Sequence, residues 1–171
     1  MAGALHLIIG PVGAGKSTFA RALVARRPAL LLVLDDWMAR LFGADPRPTT
    51  DRVGWYLERR DRCLAQLWEV ARGACAAGCD VVLEPGLVRR AERAALYEQI
   101  EDAGLALTVT LIDAPRDERR ARVMRRNEER GATFAQVVPL EFFELASDHW
   151  EPPDDDERHD RGIAAPAQPR A

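Results

Sequence analysis

Nine consecutive residues, Gly10-Pro11-Val12-Gly13-Ala14-Gly15-Lys16-Ser17-Thr18, carry the most specific chemistry in the chain. They fill the pattern G-x-x-x-x-G-K-[ST]. They also lie between an apolar run (Leu5, Leu7, Ile8, Ile9) and a helical pattern (Phe19, Ala20, Leu23, Val24). A strand that stops, a glycine turn and a helix start aim successive backbone amides into one concavity that fits phosphate oxygens. Lys16 then reaches the β- and γ-phosphates of a nucleoside triphosphate, and the Ser17 hydroxyl sits on Mg²⁺. A glycine-rich turn that binds nothing is the alternative, and it gives no reason for Lys-Ser-Thr at those places. The implied cofactors are ATP and Mg²⁺.

Acids follow each of the other apolar runs. Asp35 and Asp36 end the run Leu30 to Leu34, a strand expected to lie beside the phosphate loop. A carboxylate there can take the proton of an attacking hydroxyl or hold Mg²⁺ through water. Capping of a helix that starts near Trp37 is the alternative, and the two acids can divide these tasks. Asp35 is favoured for catalysis because it is nearer the strand. Glu84 ends the run from Asp80 and is the candidate second metal residue beside Ser17; a solvent-facing carboxylate is the bland reading. Asp113 reads as a cap for the helix after Pro115.

Seven arginines crowd residues 116–130, and the acids among them supply only some partners. A planar guanidinium binds two phosphoryl oxygens at once, so a helix closing over the phosphate loop could spread charge during transfer. Arg126 and Arg130, one turn apart, are the candidates; plain surface charge is the rival reading, with Arg119 and Arg120 as its surface controls. A nucleic-acid patch would want interleaved aromatics, which this helix lacks.

Strands over residues 5–9, 30–34, 80–84 and 105–112 alternate with helical patterns at 16–27, 52–77, 91–103, 117–130 and 133–146. That alternation predicts an α/β fold, a parallel sheet with helices on both faces and ligands beyond the carboxyl ends of the strands. Trp55 and Tyr56, after the loop at 43–50, are placed to border an acceptor pocket, though core packing is the more ordinary use. One domain is expected over residues 1–150, followed by a proline-rich acidic tail, 151–171, read as weakly ordered.

The net charge of −3 weighs against a duplex-binding surface. No apolar run approaches the ~18 residues of a membrane span. Cys63, Cys75 and Cys79 show no metal spacing and read as reduced thiols. With no signal peptide before the first strand, the expectation is a cytoplasmic protein with no membrane partner.

Three places carry a resemblance: Gly10 to Thr18, Asp35-Asp36, and Arg126-Asn127-Glu128-Glu129-Arg130-Gly131. Together they resemble the small P-loop kinases, an AAA-type group that includes polynucleotide 5′-kinases and zeta-toxin-like phosphotransferases. The resemblance implies a P-loop NTPase three-layer sandwich with about five parallel strands. It also implies that Asp35 is the general base and that Arg126 and Arg130 are lid arginines. Polynucleotide kinases of this kind carry an arginine soon after the aspartate pair, where this chain has Trp37-Met38, and Glu84-Pro85-Gly86 is similar instead to the glutamate–glycine turn of zeta-toxin-like kinases. The expected activity is ATP-dependent phosphoryl transfer to a hydroxyl of a small molecule. A polynucleotide or nucleoside 5′-hydroxyl kinase and a non-catalytic nucleotide-binding regulatory module are the alternatives.

Overall fold

The computed structural model describes residues 2–131 and 134–164. Four strands, β1 (Leu5–Ile9), β2 (Leu30–Val33), β3 (Val81–Glu84) and β4 (Leu107–Leu111), form one parallel sheet in the order β2-β3-β1-β4. The order corrects one expectation: β3, not β2, lies directly beside β1, with Leu5 opposite Val81 and Leu7 opposite Leu83. β2 pairs with the far side of β3, Val33 opposite Glu84. The described residues hold four strands where the resemblance implies about five.

Parallel pairing requires crossovers, and the helices α1 (Lys16–Val24), α3 (Arg52–Ala76) and α4 (Arg90–Asp102) supply them. The strands are apolar on both faces because helices cover both. Ile8 and Val82 face α1, where they pack with Ala20, Phe19 and Leu23. Leu5, Leu7, Ile9, Val81 and Leu83 face the larger core with Leu67, Ala71, Tyr97 and Ile100 of α3 and α4. β2 stops at Val33, and α2 (Leu34–Phe42) starts at once. Asp35 and Asp36 therefore lie in the first turn of α2, not at its cap; Val33 is the N-cap residue. Negative side chains there suit the positive end of the helix.

α5 (Arg116–Glu129) follows β4 as expected, but the last predicted helix begins later. Instead of 133–146, α6 spans Leu140–Asp148, with Pro139 as its N-cap. Pro139 has no amide to donate inside a helix, and the side chain of Asn127 holds the residue before it. The Asn127 Nδ2 donates to the Val138 carbonyl (2.8 Å) and its Oδ1 accepts the Val138 amide (3.1 Å), taking both groups a helix would use. Residues 132–133 of the expected helix lie outside the described residues.

The stretch after Trp150 is not a loose linker as far as Ala164. The Glu151 amide donates to Val88 O (2.9 Å), and α7 (Asp155–Asp160) carries Glu157 into the interior. There Glu157 meets the fully buried Arg93 through two bonds of 2.6 and 2.7 Å and accepts the Tyr97 hydroxyl at 3.0 Å. Ile163 then enters the main core. Acidity misled the sequence reading, because one of the acids is a buried partner for α4. Residues 165–171 of the expected tail lie outside the described residues. No helix among the described residues is long and apolar enough to cross a membrane.

Candidate active site

The loop after β1 is built so that only glycine fits its tightest points. Gly10 has φ 147°, and a Cβ there would stand 2.0 Å from the Ile112 carbonyl oxygen. Gly13 has φ 79°, and its Cβ would meet Arg119 O at 2.7 Å and Val123 Cγ2 at 2.9 Å. Gly15, the N-cap of α1, has a left-handed backbone and offers no side-chain cap. The first amides of α1 are thus left for an outside acceptor, which at a helix N-terminus is best an anion.

Two guanidiniums of α5 grip the loop from above. Arg119 Nη1 donates to Val12 O at 3.0 Å and Arg122 Nη1 to Ala14 O at 3.3 Å. Lys16 Nζ donates to Pro11 O at 3.0 Å. Loop carbonyls that would repel a phosphate are engaged by cations; the Ala14 amide turns back on Pro11 O (3.3 Å), and the first amides of α1 are the ones left over.

Glu84, at the end of β3, is 5% exposed, which removes the solvent-facing reading. Burial pushes its pKa up to about 7, against the pull of the Lys16 charge and the Ser17 hydroxyl; Asp35 adds to the rise. Its Oε2 is buried with no hydrogen-bond partner. A buried carboxylate oxygen with no donor, next to the Ser17 hydroxyl, fits a divalent cation. The loop amides, Lys16, Ser17 and Glu84 are accordingly the residues that would hold ATP and Mg²⁺.

The aspartate pair divides. Asp35 lines the same cleft as Lys16, Ser17 and Glu84. Asp36 turns away and accepts from Arg21 Nη2 of α1 at 2.9 Å.

The arginine pair divides as well. Arg126 lines the cleft, with Nε buried and unbonded. Arg130 does not line it: α5 stops at Glu129, and Arg130 caps it at φ 48° with its guanidinium 5.6 Å from the Phe134 ring. The i, i+4 relation fails because the helix does not reach its second member. Arg122, one turn before Arg126, lines the cleft in its place. Arg119 is no surface control either; it is 6% exposed and also bonds Ala114 O (3.0 Å) and Ser147 Oγ (3.1 Å). Within a run of charged residues no sequence signal marked it as buried.

The cleft encloses about 660 Å³ and runs from the phosphate loop to the first turns of α3. Trp55 and Tyr56 both line it, so their use is not core packing alone. Three contacts join this far end to the α5–α6 segment. Arg47 Nη2 donates to Gln136 Oε1 (3.2 Å), Arg52 pairs with Glu141 (3.7 Å), and the Tyr56 ring meets Phe142 edge-on at 6.4 Å.

A family model described as an AAA domain matches residues 5–153. The chain belongs to this family. No curated protein matches the chain. Solved structures share the fold of this AAA-domain protein at low identity. One is a chain of the Pnkp1/Rnl/Hen1 RNA repair complex, 20% identical with TM-score 0.63 over 86% of this chain. The match covers 44% of that chain, so this protein spans less than half of that relative's length. Chaetomium thermophilum Kti12 in complex with ADP-AlF3 is 19% identical, TM-score 0.66, over 93% of this chain and 86% of that one. A sugar kinase from Janibacter sp. is 18% identical, TM-score 0.59, over 90% and 81%. The AAA-domain chain described here has the α/β fold of the small P-loop kinases.

Proposed function

We propose that the protein is an ATP- and Mg²⁺-dependent kinase that transfers the γ-phosphoryl group to a hydroxyl of a small molecule. One observation carries the reading: a single cleft holds the phosphate loop, the buried Glu84, Asp35 and Arg126. Bound ATP and Mg²⁺ supply the phosphoryl group, the leaving ADP and much of the charge neutralisation. The chain's own residues do the rest. The loop amides and Lys16 hold the phosphates, and Ser17 with Glu84 holds the cation. Asp35 takes the acceptor's hydroxyl proton as the new O–P bond forms and the bond to the β-phosphate oxygen breaks. Arg126, which lines the cleft, meets the charge that develops on the phosphoryl oxygens.

The family model and the P-loop kinase fold support nucleotide-dependent phosphoryl transfer. The contacts that join α3 and the loop before it to the α5–α6 segment across the far end, Arg47 with Gln136 and Tyr56 with Phe142, support a small acceptor over a polymer. Incubation with γ-labelled ATP, Mg²⁺ and panels of polyols, sugar acids, nucleosides and a 5′-hydroxyl oligonucleotide tests the reading. Label in a small-molecule product is expected. Label in the oligonucleotide alone would assign a polynucleotide kinase, and tight ATP binding without transfer to any acceptor would assign a regulatory module.

A further inference from the structure

Exposed apolar side chains gather at one end of the cleft. Among the described residues seven large hydrophobic side chains are exposed, and four of them line it: Val53 (43%), Leu57 (40%), Val137 (45%) and Leu145 (41%). Hydrophobic residues scattered singly over a surface are ordinary, whereas convergence on one concavity marks a binding site for apolar groups. The four belong to two facing walls. Val53 and Leu57 share a face of α3 with Tyr56, and Leu145 stands one turn after Phe142 on α6. The walls meet where the Tyr56 ring touches Phe142 edge-on. Val137 joins the second wall, on a segment that Asn127 fixes through the backbone of Val138.

The charged groups at this end are already engaged. Arg47 is held by Gln136, Arg52 by Glu141 and the buried Arg60 by Glu92. Glu92 in turn accepts the amides of Val88 (3.1 Å) and Arg89 (2.9 Å). Asp61 and Arg89 are exposed to solvent. What this end offers a ligand is mainly hydrocarbon.

The position of the walls decides which substrate meets them. In-line transfer puts the attacking hydroxyl and the leaving ADP on opposite sides of the γ-phosphorus. Asp35 lies in the first turn of α2, and α2 packs along α3, with Leu34 and Met38 in the same core as Tyr56. An acceptor whose hydroxyl is at Asp35 therefore extends toward the apolar walls, and the nucleoside extends away from them.

We infer that this end of the cleft is an apolar subsite for the body of the phosphoryl acceptor, a small alcohol whose hydroxyl is carried on an aromatic or aliphatic frame. The inference rests on the kinase reading above. Val53 and Leu57 on one side, with Val137 and Leu145 on the other, remove that frame from water, while the hydroxyl stays at the polar end with Asp35. A polyol in the same place would lose hydrogen bonds to water and find no partners on these walls.

The test fills the phosphate loop with AMP-PNP and Mg²⁺ and titrates 2-phenylethanol, cyclohexylmethanol and glycerol by calorimetry at two temperatures. The two apolar alcohols should bind at least about tenfold more tightly than glycerol, with the negative heat-capacity change of apolar burial. L57S and L145S, one from each wall, should each weaken both apolar alcohols by about three- to tenfold and leave AMP-PNP affinity as it is. Both side chains are exposed, so the variants should fold. L140S is the control, since Leu140 is exposed at the start of α6 but does not line the cleft. Glycerol binding as tightly as the apolar alcohols, an apolar preference untouched in L57S and L145S, or an equal loss in L140S overturns the inference while leaving the kinase reading intact. Loss of AMP-PNP affinity in L57S and L145S would assign these walls to the adenine base, and overturns it as well. Failure of AMP-PNP to bind the wild-type protein overturns the kinase reading instead, and this inference with it.

Discussion

Arg119 Nη1 donates to the backbone oxygen of Val12 at 3.0 Å, tying the first turn of α5 to the phosphate loop. The same side chain spans to Ala114 O and Ser147 Oγ, so one buried guanidinium joins the loop, the end of β4 and α6. Burial lowers its pKa, though a guanidinium stays charged at any working pH. Removing it leaves three acceptors without a donor in a closed site. Arg119→Met should cost about 2–4 kcal/mol of stability, read by urea unfolding. It should also raise KM for ATP well above wild type at a temperature where the variant is folded. A melt and a KM both unchanged would mean the loop holds its shape without this tie.

The aspartates make opposite predictions. Asp35→Asn keeps the size and the helix start but removes the base, so kcat should fall by about 10²–10⁴ with little change in Tm. Asp36→Asn loosens the pair with Arg21, which is partly exposed on both sides. That should cost under about 1 kcal/mol and leave kcat within a few-fold. Steady-state kinetics on both variants decides it, and a reversed ranking would assign the base to Asp36.

The sequence made the phosphate loop legible because its function is written in glycines and a lysine at fixed spacing. β1, β3 and α3 were legible from unbroken apolar runs and a 3.6-residue period. What it hid are places where a charged residue is used inside. Arg93 and Glu157 sit 64 residues apart, and nothing in the sequence pairs them. The start of α6 after Pro139 could have been read from the proline, but the Asn127 amide that reaches 11 positions ahead to Val138 could not. Arg60, Arg119 and Arg126 look alike in composition, and only burial tells them apart. Strand adjacency is likewise a property of the assembled sheet, which is why β3 and not β2 lies next to the phosphate loop.

Arg126 and Arg130 separate a transition-state role from surface charge. Arg126→Ala should lower kcat by an amount approaching 10³ while ATP affinity changes little, since its contact forms with charge that develops during transfer. Arg126→Lys should rescue poorly, because a point charge lacks the fork. Arg130→Ala should change kcat by less than about threefold, as that side chain lies outside the cleft on Phe134. Stopped-flow nucleotide binding beside steady-state rates checks both halves. Equal losses at the two positions would mean the end of α5 extends during turnover.

Glu84, the residue proposed to hold the cation, affects stability in a direction opposite to most carboxylates. Its ordinary pKa of 4.5 rises to about 7 in the folded protein, chiefly through burial. The folded state therefore holds the proton over a range where the unfolded state has released it. Stability contributed at this site is full below the unfolded value, declines as pH climbs from there through 7, and then levels off. The span corresponds to roughly 3 kcal/mol. Glu84→Gln keeps the shape without the titration. In metal-free buffer its Tm should exceed wild type at pH 8 by roughly 5–10 °C and match it near pH 4.5, with other carboxylates cancelling in the difference. The same variant should lose most of its kcat, because an amide is a poor substitute for a carboxylate on a divalent cation. Added Mg²⁺ and ATP should restore the wild-type Tm at pH 8 far more than that of the variant. Melting curves that run parallel across this pH range would show that Glu84 is solvated in solution, and its place beside Ser17 at the cation would fall with it.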